Sequence, residues 1–124
     1  MKEKVHSEKA PKAIGPYSHA VKTNGFIFTS GQIGIDPSTG NLREDIVSQT
    51  KQVFQNLANV LEEAGSSLDK AVKVTVFLKD LQDFQKVNEI YATYFTGVFP
   101  ARSAFQVAAL PVDALVEIEV VAEV

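Results

Sequence analysis

No cysteine occurs in this 124-residue chain. That excludes a disulfide framework, a thiolate nucleophile and a cysteine-based zinc site, and it suits a reducing compartment. Histidine is nearly as scarce. His6 and His19 stand alone, without metal-ligand spacing or a neighbouring nucleophile pattern. Glycine-rich phosphate loops are missing, and neither Ser18 nor Ser103 has a recognisable base partner. No apolar run approaches the ~20 residues of a membrane helix, and the charged residues 1–9 form no signal segment. Twelve basic against 15 acidic residues give a formal charge of −3. Lys9, Lys12 and Lys22 are too scattered for a nucleic-acid surface. The expectation is a soluble cytoplasmic protein of one domain, 1–124, with no metal and no cofactor.

What is present is a core. Apolar residues make up 45% of the chain, and their period changes along it. A short strand is expected at Val5-His6, then strands over 17–21 and 26–35 joined by Thr23-Asn24-Gly25. Asn-Gly is a strong hairpin signal because both residues tolerate positive φ. Ile46, Thr50, Val53, Phe54, Leu57, Val60, Leu61 and Ala64 recur at helical spacing, and Gly65 is the expected C′ residue. Gln49, Lys51, Gln52, Asn56, Asn59 and Glu63 fall on the side assigned to water. Residues 71–79 return to period two, with Val72, Val74, Val76 and Leu78 on one face. Asp80 reads as the N-cap of a second helix to about Phe95, ended by Gly97, with a buried stripe running from Leu81 through Phe84, Val87, Ile90, Tyr91, Tyr94 and Phe95. Strands over 103–107 and 115–124 follow. The order predicts an α+β fold, with one mixed sheet covered on one face by two helices. The other face carries Phe77 and further apolar groups, so a partner copy is expected to cover it.

The candidate chemistry centres on Arg102 in Pro100-Ala101-Arg102-Ser103 and on Glu117 in Val116-Glu117-Ile118-Glu119. A guanidinium grips a small carboxylate through a planar fork, and a carboxylate beside it can deprotonate water. Antiparallel pairing of the last two strands would put both on one face. A plain salt bridge is the competing reading of the pair, and Arg102 alone reads sooner as a structural arginine, since lone arginines are mostly solvated or structural. Tyr17 either donates to a ligand or packs. Ser30-Gly31-Gln32 interrupts an apolar strand, as a bulge or a close backbone approach to a ligand. Asn88 lies among polar helix residues.

These segments, with Ala13-Ile14-Gly15-Pro16-Tyr17-Ser18, Thr29-Ser30-Gly31-Gln32-Ile33 and the stretch from Val74 to Asp80, resemble the Rid (YjgF) family of reactive-intermediate deaminases over essentially the whole chain. The resemblance implies a chorismate-mutase-like (YjgF) fold. It also implies a homotrimer whose sheets line a central β-barrel, with clefts between subunits. The implied activity is hydrolysis of 2-enamine and 2-imine acids, 2-aminoacrylate and 2-aminocrotonate, to 2-oxoacids and ammonia. The implied functional link is to pyridoxal-phosphate-dependent dehydratases. By this resemblance Arg102 holds the carboxylate and Glu117 orients water. Tyr17, Ser30, Gly31 and Asn88 line the site, and Ala104 stands where many members have cysteine. Two further departures are Ala109 for a common arginine and Gly34 for a common proline. The alternatives are a non-catalytic 2-oxoacid sensor and, against the charge, a translation inhibitor or ribonuclease.

Overall fold

The computed structural model describes residues 1–124. Seven strands form one mixed sheet: β1 (Glu3–Val5), β2 (Ala20–Thr23), β3 (Phe26–Thr29), β4 (Gln32–Ile33), β5 (Ala71–Leu78), β6 (Ala101–Gln106) and β7 (Val116–Glu123). Helices α1 (Ile46–Glu63) and α2 (Phe84–Thr93) complete it. The strand order is β1-β2-β3-β7-β5-β6, with β4 also on β7. All pairings are antiparallel except β5 with β6. The tight turn between β2 and β3 is made by Asn24 and Gly25, both at positive φ as the Asn-Gly signal predicts.

The core lies between one sheet face and the two helices. Ile27, Val74, Val76, Leu78, Val116, Ile118 and Val120 meet Val53, Phe54, Leu57, Val60 and Leu61 of α1. Asp45 caps α1 reciprocally with Ser48. Its other end closes with Gly65 N–H on Glu62 O and Ser66 N–H on Leu61 O, which satisfies two terminal carbonyls.

Several expectations need correction. Val72 is 37% exposed, because the register shifts between Ala71 and Lys73 and turns it out of the buried row. Leu81 is 49% exposed, since the second helix opens as a 3-10 turn before α2 begins. Strand β2 starts at Ala20, and residues 17–19 run irregularly before it. Gln49, Gln52 and Asn56 are buried, although their spacing assigns them to water. They are buried because each is hydrogen-bonded to backbone or to a neighbouring polar side chain, Gln52 accepting from Arg43 Nε–H. Gln49 donates to Arg43 O and accepts from Leu115 N–H. Asn56 donates to Ile33 O at 3.2 Å and Ile35 O at 3.0 Å, and accepts from Gln52.

Asn56 thereby holds β4, a strand of two residues, and Ile35 just beyond it against α1. Asn56→Ala should therefore cost about 2–4 kcal/mol, since buried carbonyls left without partners cost about 1–3 kcal/mol each. Urea unfolding checks it; a loss under about 0.5 kcal/mol would contradict the role.

Candidate functional site: two half-sites on opposite faces

Strand β5 separates β6 from β7, so the last two strands do not pair. Arg102 lies opposite Val74 on the helix-covered face, whereas Glu117 lies opposite Phe77 on the open face. The expectation that one chain brings the two onto a shared face is corrected by this topology. Each sits instead in its own cleft.

The first cleft, about 460 Å³, is lined by Tyr17, Ser30, Gly31, Ile33, Val112 and Glu117 among others. It exists because the sheet is broken there. Phe28 stands opposite Val121 and Gln32 opposite Ile118, so four steps along one strand match three along the other. The extra residue falls at Ser30-Gly31, a β-bulge as expected from the sequence. Thr29 Oγ1 takes the place of a ladder carbonyl by accepting from Val120 N–H. Ser30 N–H donates to His19 O, and Ser30 Oγ–H donates to Ser18 O at 2.7 Å. Gly31 is needed for a different reason: a Cβ there would lie 2.6 Å from Glu117 Oε2. The backbone is thus laid directly on the carboxylate.

Glu117 takes part in no ion pair. Burial in the cleft raises its pKa above the ordinary 4.5, and the nearby Glu119 pushes it further the same way. A carboxyl so placed is suited to take a proton and give it back. Tyr17 is half exposed at the rim.

The lip of this cleft, Pro11 to Tyr17, is anchored by His19, which no sequence motif singles out. Ser7 N–H donates to His19 Nδ1 at 3.0 Å, so the proton rests on Nε2, which donates to Pro11 O at 2.7 Å. The ring is buried and stacks on His6 with centroids 4.1 Å apart. Burial lowers its pKa. It is a neutral structural bridge, and neither histidine meets a metal-ligating cluster.

The second cleft, about 400 Å³, is lined by Asn88, Tyr91, Ala92, Phe99, Pro100 and Arg102. Arg102 pairs with no acid. Its Nη1 donates to Asn88 Oδ1 at 2.6 Å. Ala104 lies two residues on along the same face, packs against the core, and lines neither cleft.

The open sheet face carries Phe26, Phe28 and Phe105, each between 40 and 46% exposed. Phe77 and Phe105 meet edge to face at 5.3 Å. No helix of the molecule is long and apolar enough to cross a membrane.

Fold and site together define an α+β protein that presents an unpaired guanidinium and an unpaired carboxylate of raised pKa in separate clefts. Residues 7–124 match the family model described as Endoribonuclease L-PSP. The chain belongs to that family, the Rid (YjgF) family anticipated from its motifs. A mouse protein named 2-iminobutanoate/2-iminopropanoate deaminase is 51% identical over 119 residues, spanning 95% of this chain and 88% of the relative. The Pyrococcus abyssi RutC family protein PYRAB12510 is 56% identical over 122 residues, or 98% of this chain and 96% of that one. Among solved structures, YyfA of Yersinia pestis superposes with a TM-score of 0.98 at 52% identity over all of both chains. It is described as a protein of unknown function of the conserved Rid family.

Proposed function

We propose that this chain hydrolyses small 2-imino acids, the tautomers of 2-aminoacrylate and 2-aminocrotonate, to 2-oxoacids and ammonia. The working form is a homotrimer in which Arg102 of one subunit and Glu117 of its neighbour close on one cleft. The observation that carries this reading is the separation just described. Each chain holds a guanidinium fork without an acid and a carboxylate without a cation, on opposite faces. The exposed phenylalanines of the open face give the assembly an apolar surface to cover. Relatives at about half identity named as imine deaminases support the chemistry.

In this mechanism the substrate carboxylate takes the free edge of the Arg102 guanidinium. Charge-assisted bonds of this kind contribute about 1.5–3 kcal/mol each. A water donates its proton to Glu117 as its oxygen bonds to the imine carbon, and the C=N electron pair moves to nitrogen. Glu117 returns the proton to that nitrogen. Glu117 then takes the carbinolamine O–H proton and passes it to the amine nitrogen as the C–N bond breaks, which leaves the ketone and ammonia. The uncatalysed hydrolysis already runs in water, so positioning and one base, worth roughly 10²–10⁴-fold, are enough. The supply belongs to reactions that eliminate a leaving group from C3 of a 2-amino acid, water from 2-amino-3-hydroxy acids among them, because those release the enamine. The alternative conveyed by the family model's name finds no basic surface here: the formal charge is −3, and Arg102 stands within aromatic side chains.

The test is 2-oxoacid release in a coupled assay, with a serine or threonine dehydratase generating the enamine in place. Wild type should speed release, and Arg102→Ala should lose at least about 10-fold in kcat/KM, the size of one lost charge-assisted bond. Retained acceleration in a folded Arg102→Ala variant would overturn its role. No acceleration by wild type would turn the reading toward a 2-oxoacid sensor.

A further inference from the structure

We infer that Phe84 and Tyr91 are positioning residues that clamp the Arg102 guanidinium between aromatic faces and leave its charge free for a ligand; the clamp is read from the structure, and its service to substrate rests on the function proposed above. Arginine has a long side chain with many rotamers, and a half-buried guanidinium is usually held by an acid. Here no acid is present. The Arg102 Cζ lies 5.2 Å from the Phe84 ring centroid and 4.8 Å from that of Tyr91, both within the reach of a cation–π attraction. Phe84, Asn88 and Tyr91 are spaced by four and then three residues on α2, so one helix stripe delivers ring, amide and ring to the same guanidinium. The Asn88 amide fixes Nη1 at 2.6 Å. The rings fix the group without a formal negative charge. An aspartate at either place would hold the arginine as firmly but would compete with an incoming carboxylate.

The periodicity alone assigns both aromatics to the core, and they do touch it. Tyr91 packs edge to face on Phe54, and Phe84 packs against the core cluster. What separates a clamp from core filling is that both rings also face the Arg102 guanidinium. The Tyr91 hydroxyl is buried and has no hydrogen-bond partner, so the ring face is its contact with the arginine.

Two readouts on the assembled protein decide the matter, using Phe84→Leu, Tyr91→Leu and Tyr91→Phe. The first is side-chain NMR of the 15N-labelled arginine, with the Arg102 Nε–Hε resonance assigned by its loss in Arg102→Lys. Wild type should show a ring-shifted, ordered resonance, and both Leu variants should move and broaden it. The second is KM in the coupled assay together with the Kd of pyruvate by calorimetry. Both should rise about three- to thirtyfold in each Leu variant, the range of a lost cation–π contact, with a smaller change in kcat. Tyr91→Phe keeps the ring and should retain the affinity that Tyr91→Leu loses. Melting curves identify any variant that is merely unfolded. In that case the Arg102 resonance of Tyr91→Phe against wild type still decides whether the ring or the hydroxyl holds the group. An Arg102 resonance unchanged in folded Leu variants would overturn the clamp, as would a Tyr91→Phe loss equal to that of Tyr91→Leu. An ordered wild-type Arg102 that both Leu variants release, with no pyruvate binding or turnover in wild type, would support the clamp while sinking the proposed function.

Discussion

Gly31→Ala is expected to lower turnover by about 10²-fold while leaving melting temperature and assembly close to wild type. The new methyl would lie 2.6 Å from Glu117 Oε2, 2.8 Å from its Cδ and 3.0 Å from its Cγ. All three atoms belong to one side chain, and none is backbone. The least costly relief is a rotation of the Glu117 carboxylate out of its place, which the open cleft permits. The fold therefore survives while the base is displaced, and a displacement of about 1 Å can cost about 10²-fold in rate. The contrast is Gly34, where a Cβ would lie 2.7 Å from Gln49 Cα and 2.8 Å from its O. Strain there would fall on the α1 backbone and so on stability. Measuring kcat and thermal melting together checks the prediction. A Gly31→Ala protein of full activity would mean that the position of the carboxylate does not matter to the reaction.

That glycine also shows how far the sequence could be read. A break at Ser30-Gly31 was legible, because glycine inside an apolar strand has few other uses. What pressed on it was not legible, because Glu117 is far away along the chain and arrives through the pairing of β4 with β7. The two helices, the Asn-Gly hairpin and the alternation of β5 and β7 follow from local periodicity and turn chemistry. The buried amides of α1 do not. Gln49, Gln52 and Asn56 are polar at polar-looking positions, and only their partners on distant segments, Ile33, Ile35, Arg43 and Leu115, explain why they are inside. The placement of Arg102 and Glu117 failed for the same reason. Alternation gives the two faces of each strand, but not which strand lies between them. Here β5 comes between β6 and β7, and a site that looked continuous in sequence becomes two halves.

Glu117→Gln should separate the two readings of that carboxylate, because it is expected to abolish catalysis and yet not weaken the fold. Burial and Glu119 both raise the Glu117 pKa above 4.5, so the folded chain disfavours the ionised form. The sign follows from linkage. A carboxyl whose folded pKa is raised favours folding below its unfolded value, and that advantage is lost as pH rises through the folded pKa. At neutral pH wild type therefore carries a penalty that the neutral amide of the variant lacks. The variant should melt at or above the wild-type temperature at neutral pH, and wild type should gain on it as pH falls toward 4.5. Activity should fall about 10²–10⁴-fold, the range for loss of a general base. The wild-type rate should itself decline as pH drops through the raised pKa, above 4.5, because a protonated Glu117 cannot accept from water. A structural salt bridge from Glu117 to the arginine of a neighbouring subunit predicts the reverse. The amide would then leave a buried guanidinium without its partner, lower the melting temperature at neutral pH and loosen the assembly. Melting and sedimentation at neutral and acidic pH, beside one rate, thus decide whether the carboxylate holds the molecule together or does chemistry within it.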